Sequence, residues 1–315
     1  MRPDSGTLLS TGFAADEYRV RSSSTMSASV DKTASPAALA AAPLTAPVER
    51  HIEPVKSRLR LGEIIRDIPV VRVLAARDFK VKYKQSLLGP VWLFFQPFAL
   101  LGAFLVAFRG LVGVETEGIP YIVFALVGLS VWAFVQASMT IGTASLVSSF
   151  HLVRLTPCPR LAFPIASVIA SLPAMGVTTA AAIVAAAISG ELSVRLLLLP
   201  LGIAWLFLLV AAMAAISSAI TVRARDVLNA LPFLLQIGLF VTPVAYPASQ
   251  LSPTAEFLID LNPLTGVIDV WRWMTLSSWE LDALPVIVSA VATCVLLVLG
   301  WRVFSRLEVT MADDI

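Results

Sequence analysis

Residues 77–97 read RDFKVKYKQSLLGPVWLFFQP. The first half carries Arg77, Lys80, Lys82 and Lys84, and after Lys84 no charge appears until Arg109. A spanning helix needs about 20 mostly apolar residues, and Lys and Arg collect on the cytoplasmic flank of such a helix. The change from a basic patch to a long uncharged run therefore marks a chain entering a bilayer from the cytoplasmic side.

The rest of the chain repeats this grammar. Of 315 residues, 57% are hydrophobic and 14% charged, with a mean hydropathy of +0.84; a soluble domain of this size covers its surface with more charge. Six stretches lack Asp, Glu, Lys and Arg: 85–108, 118–150, 161–190, 196–222, 227–255 and 283–301. No ten-residue alternation suggests a barrel, and backbone polar groups must pair internally in lipid. The expected fold is an all-α membrane protein of six spans, at about 88–108, 120–142, 162–188, 197–221, 228–246 and 283–303.

Basic residues set the orientation. Nine precede the first span, from Lys56 to Lys84. Arg154 and Arg160 follow the second span, Arg223 and Arg225 the fourth, and Arg302 and Arg306 the sixth. The other connections hold one each: Arg109, Arg195 and Arg272. Both termini are expected in the cytoplasm, in a multi-pass protein of the plasma (inner) membrane. The domain expected at 56–315 follows a cytoplasmic extension at 1–55. From 22 to 47, twenty of 26 residues are Ser, Thr, Ala or Pro, too few apolar groups to offset ordering entropy; the extension is expected to be disordered. Met1 and Met26 are both candidate starts.

Between extension and first span lies an expected amphipathic helix, about 69–84. Val71, Leu74, Ala75 and Phe79 share one face; Arg72, Arg77, Lys80 and Lys84 lie off it. Such a helix rests in the headgroup layer with its bases toward anionic lipid; alternatively, the bases only fix topology. Between spans five and six, Ser252–Pro253 and Asn262–Pro263 each read as a helix cap followed by proline. Two short helices are expected there, 253–261 and 263–276, as a re-entrant or interfacial pair on the outer side with Trp271, Trp273 and Trp279 near the headgroups.

No catalytic motif emerges. No glycine precedes a lysine, so no P-loop exists, and there is no H-E-x-x-H or G-x-S-x-G. His151 and Cys158 do not make a metal set, and Cys158 and Cys294 are not placed to bridge. No metal is expected. The spans hold no Asp, Glu or His, the groups that ion-coupled transport uses at depth. Energy for uphill transport would have to arrive through the cytoplasmic loops.

Several stretches resemble, together and in order, the permeases of ABC exporters for polysaccharides. RDFKVKYKQSLLGPVWLFFQP (77–97) is similar to that family's R-D-[LF]-K-x-[RK]-Y-[KR]-Q-[ST]-x-L-G. HLVRLTPCPRLAFP (151–164) resembles its loop L-I-x-K-x-x-F-P-R-x-x-x-P, with Cys158 for Phe and His151 for a commoner Asn. VRARDV (222–227) resembles R-x-R-D-[VI], TPVAYP (242–247) resembles S-P-[VI]-x-Y-P, and NPLTGVIDVWRW (262–273) resembles N-P-[LM]-x-x-x-[IV]-x-x-[FY]-R. The resemblance covers about 63–315.

It implies a homodimeric permease, not itself an enzyme, paired with cytoplasmic ABC ATPase subunits. These subunits bind ATP and Mg; this chain holds no cofactor. The cargo would be a lipid-linked glycan such as an O-antigen or teichoic acid. Arg77, Lys80, Lys82 and Lys84 would meet the lipid headgroup, and His151, Arg154 and Arg160 would couple to the ATPase. Pro243, Tyr246, Asn262, Pro263 and Arg272 would form the outer gate. Sugar rings present apolar C–H faces, so Trp92, Phe94, Phe95, Trp132 and Trp271 are candidate channel aromatics. Membrane lipids are partners; nucleic acid is not. Two alternatives are a permease for a drug or small lipid, and a membrane enzyme of glycan synthesis built on Glu256, Asp260, Asp269, Glu280 and Asp282.

Overall fold

The structure, a computed structural model, describes residues 67–84, 87, 89–155 and 159–314. The extension at 1–55, His51, the bases before residue 67 and Cys158 lie outside the described residues, as do the expectations for them. Among the described residues the chain is helical, with no strand beyond one antiparallel bridge between Leu192 and Leu276.

The helices are α1 (Ile68–Lys84), α2 (Trp92–Phe104), α3 (Tyr121–Ser148), α4 (Phe150–Leu155), α5 (Ala162–Ile188), α6 (Leu199–Arg223), α7 (Val227–Val241), α8 (Pro253–Asp260), α9 (Pro263–Thr275) and α10 (Ala283–Asp314). A π-helical segment, Leu105–Val112, continues α2, and Gly113 ends it in the left-handed region at φ 74°. Five helical stretches are long and apolar enough to cross a membrane: Gly89–Val112, Tyr121–Ser148, Ala162–Ile188, Val194–Arg223 and Ala283–Arg306. α7 is apolar but has only 15 residues, a length of about 22 Å.

Local chemistry sets two of these boundaries. α3 runs to Ser148, past the 142 expected, because its terminal polar residues bond inward. Ser145 donates to the Gly142 carbonyl at 2.7 Å, Ser148 to the Ser145 carbonyl at 3.3 Å, and Thr143 shares a 2.8 Å bond with Ser217 on α6. Hydroxyls satisfied in this way need not end a helix. α7 stops at Val241, short of the 246 expected. Thr242 precedes Pro243 and is extended, at φ −92° and ψ 135°, the conformation that a following proline imposes.

α3 is the central pillar. It is buried over 78% of its most apolar window, against 17% for Gly89–Val112, and it packs against α5 and α6. Helices in lipid gain little from hiding apolar surface and associate instead through close packing of small residues. The many alanines of α5 and α6 fit that requirement.

α1 departs from the interfacial expectation. Val71, Leu74 and Ala75 are buried, but against protein: they join a cluster with Val153, Phe163, Ala166 and Phe304. The apolar face is consumed by the bundle, chiefly along α5, and its opposite side carries the exposed bases.

The two short helices expected between spans five and six form as α8 and α9. Asn262 caps α9, its side-chain oxygen accepting from the Leu264 N–H at 3.0 Å; Ser252 makes no such bond at α8. α9 is not laid on a surface: most of its residues are buried, and it packs against α10 and α3. A Cβ on Gly266 would fall 2.0 Å from the Pro285 carbonyl oxygen, so only glycine permits that approach. The loops on this side are stitched together. Ser193 N–H donates to the Thr275 carbonyl at 3.0 Å, and Ser277 N–H to the Glu191 carbonyl at 2.7 Å.

Candidate functional site

A cavity of about 1130 Å³ lies among α1, α2, α3, α5 and α7, with the start of α4 at its rim. Five residues singled out in the sequence line it: Arg77, Lys82, Trp92, Trp132 and His151. Lys80 and Lys84 are exposed elsewhere on α1. Phe94 and Phe95 are exposed, Phe94 lining a separate apolar groove with Phe98 and Pro173. Trp271 is a core residue, 1% exposed, its ring close against Gly202. It does not line the cavity, because glycine at 202 lets the indole sink between α6 and α9.

The basic end of the cavity is organised by a residue the sequence reading passed over. Asp78 accepts from Arg77 Nε at 3.1 Å and from its Nη2 at 2.7 Å. Its second oxygen accepts from the Ser167 hydroxyl at 2.9 Å, and Arg77 Nη2 also donates to the Ser149 hydroxyl at 2.8 Å. Ser149 precedes α4 and Ser167 sits on α5. Arg77 is thus committed to joining α1 to both flanks of the 149–161 loop. Lys82 also faces the cavity, and burial pushes its pKa down.

His151 and Arg154 lie on α4, and Arg160 in the turn before α5. His151 is exposed, its ring edge-on to Phe150 at 5.5 Å. This six-residue helix begins beside Ser149, which Arg77 ties to α1, and is followed by α5.

At the opposite end, the expected gate residues do converge, around Arg272. Its guanidinium is 2% exposed and lies 3.7 Å over the Phe124 ring and 5.2 Å from that of Trp279. Nη2 donates to the carbonyls of Pro243 at 2.7 Å and Val244 at 3.1 Å. Burial pulls its pKa down to about 9, opposed by Asp269, Glu117 and Tyr121, so it stays cationic at neutral pH. A Cβ on Gly128 would come within 2.6 Å of the Val244 oxygen; α3 must present glycine where the turn after α7 crosses it. Asn262 Nδ2 donates to Thr242 Oγ1 at 2.9 Å, and Tyr246 donates its hydroxyl to the Phe240 carbonyl at 2.6 Å. Pro263 opens α9 at its first turn.

Asp269 completes this cluster. It accepts from Trp279 Nε1 at 2.6 Å and from the Asp282 N–H at 3.0 Å. Burial raises its pKa, while those two bonds and Arg272 oppose the rise. Of the five acids on which the enzyme alternative was built, Asp260 and Asp269 are buried. Among the described residues no group of acids, histidines or cysteines could hold a metal ion.

The profile of the family described as ABC-2 type transporter matches residues 69–276, which spans every helix from α1 to α9. The chain belongs to the ABC-2 type transporter family. This ABC-2 chain is 23% identical over 245 residues to the O-antigen export system permease protein RfbA of Myxococcus xanthus, covering 77% of this chain and 94% of that protein. It is 22% identical over 271 residues to a Klebsiella pneumoniae protein of the same name, covering 82% and 98%. A second Klebsiella pneumoniae RfbA is 21% identical over 269 residues, with the same coverage. Family and helices together make it a multi-pass membrane protein of the ABC-2 transporter type.

The cavity also holds residues the sequence reading missed: Gln96, Gln136 and Gln236. Gln85 and Gln250 are the other glutamines of the chain. The available signal was that a carboxamide is the most polar group those apolar helices carry.

Proposed function

We propose that this chain is the membrane subunit of an ATP-driven ABC exporter that moves a lipid-linked polysaccharide from the cytoplasmic to the outer side. The observation that carries this reading is the cavity in an ABC-2 chain: basic at the α1 end and uncharged beyond. A pyrophosphate-linked lipid needs cations where it is gathered, and its glycan needs a path without fixed charge. The similarity to O-antigen export permeases supports that cargo class over a drug or small lipid.

In this reading α7 serves as a short additional span, completed by the chain after Thr242, so that six crossings leave both termini cytoplasmic. Two copies assemble with two ATPase subunits, which hold ATP and Mg. α4 and Arg160 seat in the ATPase; Lys80, Lys82 and Lys84 draw the headgroup toward the cavity. Trp92 and Trp132 offer rings to sugars. The Arg272 cluster, with Pro243, Tyr246, Asn262 and Pro263, governs the outer exit.

Deleting the gene should leave the glycan inside the cell and strip it from the surface, with drug resistance unchanged. Normal surface glycan with altered drug sensitivity would favour the alternative cargo. Replacing Arg160→Glu should uncouple ATPase stimulation while the chain still reaches the membrane; full stimulation in that variant would remove the loop from the coupling path.

A further inference from the structure

The cavity of about 1130 Å³ draws one carboxamide from each of three helices: Gln96 of α2, Gln136 of α3 and Gln236 of α7. Gln136 stands 12 residues from the α3 end at Ser148, a depth of about 18 Å at 1.5 Å per residue. Gln236 stands nine residues into α7, about 14 Å by the same rise. Gln96 lies nearer the basic end, one turn after Trp92.

The hydroxyl side chains around the cavity are already employed. Thr140 donates to the Gln136 carbonyl at 2.7 Å, and Ser145 and Ser148 donate to their own helix. Ser149 and Ser167 serve the Arg77–Asp78 pair. None of the three carboxamides has a hydrogen-bond partner among the described residues. Gln250, by contrast, donates to the Glu115 carbonyl. Gln96 and Gln236 are exposed and Gln136 is half-buried, so all three amides stand open to whatever enters the cavity. Each offers two donors and one acceptor. That set matches a hydroxyl group, which both gives and takes a hydrogen bond. It lacks the fixed positive charge a carboxylate or phosphate would require at that depth, and the carboxylates a metal ion would require.

Resting on the export reading above, we propose that Gln96, Gln136 and Gln236 form a hydrogen-bonding subsite for an uncharged, hydroxyl-rich glycan. Acidic groups in the cargo are confined to the lipid headgroup held at the α1 end. The subsite selects repeats of neutral sugars and disfavours uronic acids, sialic acids and phosphodiester-linked repeats, because an anion would be stranded among amides with no cation beside it.

The test uses the full chain in nanodiscs and follows tryptophan fluorescence, since Trp92 and Trp132 line the same cavity. The probes are isomaltoheptaose, which is neutral, and a sialic acid heptamer, which carries a carboxylate on every unit. Wild-type protein should bind isomaltoheptaose saturably and the sialic acid heptamer much more weakly. Having lost these hydrogen bonds, the triple variant Gln96→Leu/Gln136→Leu/Gln236→Leu should bind isomaltoheptaose about tenfold or more weakly. The triple Asn variant keeps the amides and should recover part of that loss, which a general packing defect would not allow. Unchanged binding in the Leu variant overturns the proposal. So does equal binding of the two probes, or binding of neither by the wild type. If the proposal fails in these ways while gene deletion still strips surface glycan, the export reading stands alone; if deletion leaves that glycan intact, the export reading itself has failed.

Discussion

Arg272 is fixed by what surrounds it. Two carbonyls face its Nη2, and the Phe124 ring centroid lies 3.7 Å from its Cζ. A lysine ammonium, a compact and strongly hydrated point charge, does not replace such a guanidinium. Arg272→Met would remove the charge that Asp269 feels and leave two carbonyls without a donor. Leaving a buried polar group unsatisfied costs about 1–3 kcal/mol, so the melting temperature of the purified chain should fall, with Arg272→Lys in between. Asp269 makes a second residue-scale prediction. Its folded pKa lies above the ordinary 3.8, so between those values the folded state binds more protons than the unfolded one. Stability from this group is therefore greatest at low pH and declines as pH rises through the raised folded value. As pH rises from 3.8 through the raised folded value, the wild type should lose more melting temperature than Asp269→Asn, whose side chain does not titrate. Equal slopes would place the pH response elsewhere.

The Arg77–Asp78 contacts join α1 to Ser149 before α4 and to Ser167 on α5. Arg77 is 33% exposed and Asp78 11%, so solvent screens the pair and its worth is about 1 kcal/mol or less. Asp78→Ala should barely move global stability, yet hydrogen exchange along α1 should quicken as its ties to Ser149 and Ser167 go. Unaltered exchange would mean that apolar packing alone holds α1. Much at this scale was legible in the sequence. Periodicity announced the face of α1, and Asn262–Pro263 announced the start of α9. The partner of that face was not legible, because an apolar stripe reads the same whether lipid or α5 covers it. Nor was Asp78, since adjacent residues on a helix do not ordinarily face each other. The end of α7 was readable from Thr242–Pro243 but was masked by the apolar run continuing beyond it. The glutamines escaped because a search for charge ignores neutral amides.

At the scale of the whole molecule, the long apolar helices divide into one enclosed by protein and several with broad apolar exposure. Val106, Leu111, Val184, Leu201, Phe233 and Ile287 are among the exposed apolar side chains. α3, by contrast, has Phe124, Val127, Leu129, Val131 and Phe134 each at 1% exposure or less. A carbene reagent dissolved in the acyl chains should therefore mark peptides from Gly89–Val112 and α10 and leave α3 almost blank. Strong labelling of α3 would contradict its enclosure. The enclosure also bears on how the sequence can drift over time. Positions that look outward tolerate exchange of one aliphatic residue for another, whereas α3 has almost no such latitude on any side. Among descendants of one ancestral gene, its twenty-eight residues should be the slowest to change.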